Sequence, residues 1–316
     1  MPVTVASEWL NSCSGCEIAI LNIGEALLGL LPELNFTHMP VLMDHKYFGQ
    51  TGDTDKMEIP ESVVGIVSGG IRNEEHLEVA HLMREKCQVL IGLGTCATHG
   101  GIPSLINQFG NEELFERYYR TSETTDPGPT PNEVVPVTLD RCYALDEHIK
   151  VDLYVPGCPP HPDYIAAAVV ALLGGKTPEL PTKSVCDTCP TRREGKGAVK
   201  EIRRFLANAE FDAAMPMNDM RCLLEQGLLC MGPVTRAGCS GAGGEAPRCI
   251  SARVPCRGCY GPVKHDGNQM LDMLNALVSN GIDSRNLVDR NSMLRFSGGH
   301  HRLRRMRKPP AAKAKA

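Results

Sequence analysis

Eight cysteines fall between residues 186 and 259: Cys186, Cys189, Cys222, Cys230, Cys239, Cys249, Cys256 and Cys259. Gly, Pro and Arg interrupt this run, and it lacks long apolar segments. It brings too little apolar surface to close a core of its own, and thiolates bound to metal are the natural way to hold it. Two sets of four thiols match two closed tetrahedral sites or two cubane iron–sulfur clusters. The tight spacings Cys186-x2-Cys189 and Cys256-x2-Cys259 argue against unrelated buried thiols.

The rest of the chain reads as an ordinary globular protein. Its 316 residues, 42% of them hydrophobic, suffice for one large or two medium domains. A net charge of -4 gives no reason to expect a nucleic-acid partner. The N-terminus shows no basic segment followed by an apolar run, no twin-arginine pair and no stretch long enough to span a bilayer. The expected location is the cytoplasm, where a chain with fourteen cysteines uses them for metal ligation rather than for disulfides.

The first half alternates in the manner of a parallel α/β sheet. Strands are predicted at 3–6, 35–43, 63–68, 88–93 and 151–155. Helices are predicted over 17–31, ended by Pro32; over 73–86, capped by Asn73 with Glu74 and Glu75 in the first turn; and over 163–173. Residues 44–62 and the Pro- and Thr-rich stretch 121–136 read as surface loops. Cys13, Cys16, Cys96 and Cys158 each follow a predicted strand. In a doubly wound sheet those loops share the carboxyl edge, where such folds bind ligands, so four distant thiols meet as four ligands for one cluster. Neighbouring Gly15, Gly94, Gly100, Gly101 and Gly157 let backbone amides approach the sulfurs. A flavin or nucleotide site is the competing reading, but cysteines stand where a phosphate-cradling loop would be.

The turn Cys13-x2-Cys16-Glu17, the loop Gly94-Thr95-Cys96 with Gly100-Gly101, and the turn Pro156-Gly157-Cys158-Pro159-Pro160 resemble the small subunit of nickel–iron hydrogenases. The run Cys230-Met231-Gly232-Pro233-Val234-Thr235-Arg236, with Pro255-Cys256-Arg257-Gly258-Cys259-Tyr260-Gly261-Pro262, is similar to the cytoplasmic methyl-viologen-reducing type associated with heterodisulfide reductase. The match covers most of residues 3–262, and the basic C-terminus has no counterpart in it.

The resemblance implies a flavodoxin-like α/β domain (1–175) and an irregular domain binding two four-iron clusters (176–265); beyond it, a helical segment (266–301) and, from its run of basic residues, a disordered tail (302–316) are expected. It implies three 4Fe-4S clusters and no nickel. The proximal cluster maps onto Cys13, Cys16, Cys96 and Cys158, and the distal one onto Cys186, Cys189, Cys222 and Cys230. The medial one maps onto Cys239, Cys256 and Cys259, with Cys249 as the fourth ligand. Cys87, at a helix end, and Cys142, in a connecting segment, are left as plain buried thiols. The implied role is electron transfer between the nickel–iron site of a separate large subunit and an acceptor protein, a 2Fe-2S or flavin protein of a heterodisulfide reductase module. Small subunits of NAD(P)- or deazaflavin-reducing hydrogenases are the alternative. Glu17 is a candidate for proton transfer or simply favours its helix N-terminus; His99 either tunes the Cys96 site or is structural. The cluster subunit of respiratory complex I shares the fold, but it begins its site with adjacent cysteines and lacks the eight-cysteine extension. A structural zinc protein would leave the four sheet-edge cysteines without a purpose.

Overall fold

The computed structural model describes residues 1–49, 51–195, 199–203, 206, 209–210 and 214–305. Among the described residues, seven strands and eight α-helices follow in chain order: β1 (Val3–Trp9), α1 (Gly15–Leu21), α2 (Glu25–Leu30), β2 (Leu34–His38), β3 (Ser62–Ser68), β4 (Ile71–Asn73), α3 (Glu74–Lys86), β5 (Cys87–Leu93), α4 (Gly94–His99), α5 (Asn111–Phe115), β6 (Thr138–Tyr143), β7 (Leu153–Val155), α6 (Pro162–Leu173), α7 (Arg248–Ser251) and α8 (Gln269–Ser279).

Five strands make one parallel sheet in the order β2-β1-β3-β5-β7. Its central strands are apolar on both faces, as a sheet covered on both sides requires. Ala6, Val67 and Leu90 pack on one face with Val79, Ala80 and Met83 of α3. Val5, Ile66 and Ile91 pack on the other with Ala19 and Ile20 of α1 and Ile165 and Ala168 of α6. Asn73 caps α3 by accepting from the His76 amide at 2.7 Å.

Four predicted features differ. The helix expected over 17–31 is two helices broken at Asn22–Gly24, where Gly24 takes φ +69°. Pro32 lies in a one-turn 3-10 helix rather than at a helix end. Residues 138–143, read as a connection, form β6, which pairs antiparallel with β4 and carries Cys142. The Gly94–His99 loop is helical.

The described residues beyond 176 are mostly turns, and their apolar core includes cysteines. Val185, Cys230, Met231 and Cys256 form one buried cluster with Met273 and Leu277 of α8, Ile282 and Met293. The 266–301 segment therefore shares a core with the cysteine-rich region. The expected tail starts too early at residue 302: Leu303 is fully buried, and Arg302 reaches the His265 carbonyl at 3.4 Å. Residues 306–316 of that expectation lie outside the described residues. Among the described residues, no single helix is long and apolar enough to cross a membrane.

Candidate metal centres

The carboxyl edge of the sheet gathers the first four thiols. An antiparallel bridge between Asn11 and Gly70 ties the loop after β1 to the loop after β3. Cys13 is exposed, Cys158 half-buried, and Cys16 and Cys96 buried. Burial pushes the Cys16 thiol well up, and the neighbouring charges of Glu17, Cys96, Cys158 and Cys13 push it further. Burial, then Cys158 and Cys13, pushes Cys96 up to about 12. Thiols raised in this way oppose ionisation unless a cation stands among them, since metal ligation deprotonates them outright.

Two glycines are required by sulfur contact. A Cβ on Gly94 (φ +84°) would lie 2.3 Å from the Cys16 sulfur, and one on Gly101 (φ +55°) 2.5 Å from the Cys96 sulfur. Thr95 between them ties three segments together. Its amide donates to the Gly157 carbonyl at 2.8 Å, its hydroxyl accepts from the Gly157 amide at 2.9 Å, and the same hydroxyl donates to the Cys259 carbonyl at 2.6 Å. Sequence reasoning passed over Thr95, although its place before Cys96 was the available signal.

Cys239, Cys249, Cys256 and Cys259 line a cavity of about 180 Å³, together with Cys158 and Pro159 of the sheet edge. Cys249 sits on α7, and its charge reaches Cys239, Cys256 and Cys259. The backbone amides of Arg248, Gly258 and Cys158 favour the thiolates of Cys239, Cys256 and Cys259 respectively, against the burial that raises them.

Cys186, Cys189, Cys222 and Cys230 line a third space of about 340 Å³, to which Cys256 also contributes. The Cys256 amide donates to the Cys230 sulfur at 3.3 Å. The amides of Glu225 and Leu224 favour the Cys222 thiolate, and that of Gly232 the Cys230 thiolate, against the burial that raises both. The three groups thus stand in a row. Cys158 and Cys259 join the first to the second, and Cys256 with Cys230 joins the second to the third. The second and third groups each set four sulfurs around a space, and the first gathers four at the sheet edge, which fits cubane clusters.

Cys87 and Cys142 are buried outside these sets of four, Cys142 close enough to Cys96 to raise its thiol, and burial pushes the two up to about 11 and about 12. Cys87 packs beside Gly65, and Cys142 accepts from the Asn11 amide group at 3.7 Å. Glu17 is buried in α1. One carboxylate oxygen accepts from the Ser68 hydroxyl, and the other has no partner. The His99 hydrogen bond runs between Nδ1 and the Thr98 hydroxyl at 2.7 Å, which favours the structural reading of this histidine over the tuning one.

A family model described as NADH ubiquinone oxidoreductase, 20 Kd subunit, matches residues 13–172. An F420-non-reducing hydrogenase subunit from Methanothermobacter marburgensis is 41% identical over 280 residues, covering 88% of this chain and 84% of its own. The iron-sulfur subunit of the F420-non-reducing hydrogenase from Archaeoglobus profundus is 34% identical, covering 88% of each chain. A chain in the crystal structure of an NAD+-reducing NiFe-hydrogenase in the H2-reduced state matches with a TM-score of 0.51 and 29% identity. That match covers 57% of this chain and 96% of the other. The chain therefore belongs to the NADH ubiquinone oxidoreductase 20 Kd subunit family and, within it, groups with the iron-sulfur subunits of the F420-non-reducing hydrogenases.

Proposed function

We propose that this chain is the electron-transfer subunit of a nickel–iron hydrogenase and holds three 4Fe-4S clusters. Cys13, Cys16, Cys96 and Cys158 would hold the proximal one, Cys239, Cys249, Cys256 and Cys259 the medial one, and Cys186, Cys189, Cys222 and Cys230 the distal one. The carrying observation is the row itself: the middle cavity takes Cys158 from one neighbour and shares Cys256 with the other. When bound, such clusters would pass single electrons between the two ends of the row. The chain's own part is to bury the thiolates, exclude water and aim amide groups at the sulfurs, which sets their potentials. We assign dihydrogen splitting to a separate large subunit, seated on the carboxyl edge where Cys13, Trp9 and Ile18 are exposed. Glu17, with one buried oxygen unpartnered, is our candidate to pass a proton there. Since the named relatives are F420-non-reducing, the acceptor we infer is a 2Fe-2S or flavin protein of a heterodisulfide reductase-linked module.

Purification of the native complex without oxygen tests this reading. The expected result is a co-purifying large subunit with nickel and about 12 irons in this chain. A colourless, iron-free chain that purifies alone would overturn it. Cys87→Ala and Cys142→Ala should both keep the full iron content and cost about 1–2 kcal/mol of stability from lost packing. Loss of a cluster in either variant would move that thiol into a ligand set.

A further inference from the structure

A second polar centre, with no cysteine in it, lies between the sheet and the C-terminal segment. Asp146 comes from a one-turn helix at Leu145–Glu147, His265 from the loop before α8, and His300 from the turn beyond residue 294. Asp146 Oδ2 is 2.7 Å from His265 Nε2, and Oδ1 is 2.7 Å from His300 Nε2. One donor atom from each of the three lies within 4.8 Å of the other two. The His99 ring centroid is 4.8 Å from that of His265 and 6.2 Å from that of His300.

Direct hydrogen bonds leave this centre incompletely paired. His99 is 1% exposed, and its Nε2 has no partner. With Nδ1 bonded to the Thr98 hydroxyl, a proton on Nδ1 would leave Nε2 presenting a lone pair. His265 Nδ1 is also buried without a partner. Buried polar atoms are rarely left so unless an ion or water belongs among them.

We propose that Asp146, His265 and His300, with the buried His99 ring packed beside them, bind one divalent transition-metal cation of the zinc class. Imidazole and carboxylate donors suit zinc or cobalt, whereas the thiolate groups suit softer iron–sulfur chemistry. Outer groups already orient the ligands, as metal sites require. The Tyr154 hydroxyl donates to Asp146 at 3.2 Å, the Thr98 hydroxyl holds His99, and Glu147 accepts from the His300 amide at 2.8 Å. Arg302 lies 3.3 Å from His300, and its charge is opposed by Asp146, Asp266 and Glu147. Such a cation would clasp Asp146 of the sheet region to His265 and His300 of the C-terminal region.

The test uses the intact complex, purified without oxygen from the unmodified strain and from strains carrying Asp146→Asn or His265→Gln. The samples are incubated with zinc and desalted, and their metals are counted. The unmodified chain should retain about one zinc more than either variant, with equal iron in all three. Equal zinc in all three would overturn the site. Cobalt(II) supplied to the unmodified complex covers the case in which a variant fails to assemble. Tetrahedral cobalt bands without sulfur-to-cobalt charge transfer support the site, and their absence overturns it.

Discussion

Cys249→Ala should remove about one iron of the expected 12 and turn one four-iron cluster into a three-iron form. Cys249 stands on α7 beside the middle cavity, where its charge is felt by Cys239, Cys256 and Cys259. Alanine keeps the helix and removes one thiolate, so the fold survives and one corner of the set loses its ligand. Electron paramagnetic resonance of the oxidised protein should show a new three-iron signal, with the other two clusters unchanged. Losing a thiolate also removes negative charge, so the potential of the middle site should rise. If the unmodified protein already shows the three-iron signal at full occupancy, Cys249 is not a ligand.

Gly101→Ala should have a larger structural effect than any single cysteine replacement. The added Cβ would sit 2.7 Å from the Cys96 Cα and 2.9 Å from its amide nitrogen, at a backbone φ of +55°. Both contacts are to backbone within α4, which cannot yield as a flexible side chain would. Strain and overpacking together should cost about 2–4 kcal/mol. The displaced Cys96 should cost the proximal cluster, about four irons. Gly24→Ala is the matched control. Its φ of +69° is similar, but nothing lies within 4 Å of the added atom. It should cost about 1–2 kcal/mol and no iron. Thermal melting and iron content separate the two, and a full iron complement in Gly101→Ala would show that the Cys96 loop can shift without losing its ligand.

The parallel sheet was legible because its central strands are near-continuous apolar runs, and the thiol loops follow from strand order alone. Periodicity hid the break at Gly24, since apolar residues recur at helical spacing across it; Ile18, Leu21 and Leu28 on that stretch are exposed. The β4–β6 pair escaped because β4 has three residues and its partner follows a long Pro- and Thr-rich stretch. The grouping of the eight later cysteines came from resemblance, since turns rather than regular elements carry them. The Asp146–His265–His300 centre has no sequence signal at all. Its members lie 119 and 154 residues apart, with no motif spacing to join them. The packing of Leu303 was likewise masked by the basic residues around it.

Thr95 joins Gly157 to Cys259, a partner 164 residues away, and this separation bears on how the protein matures. Its sheet-edge thiols come from both ends of the first half of the chain, so that set cannot close until β7 has paired beside β5. Closing so long a loop is slow compared with forming local turns. Cys222 to Cys259, by contrast, lie within one short stretch and can be gathered locally. During synthesis Cys13 and Cys16 emerge first yet wait for Cys158. For that interval they are unligated thiols, open to oxidation before their partners exist. Oxygen during synthesis should therefore harm the sheet-edge set more than the later ones, and iron loss in cells grown with traces of air should begin there.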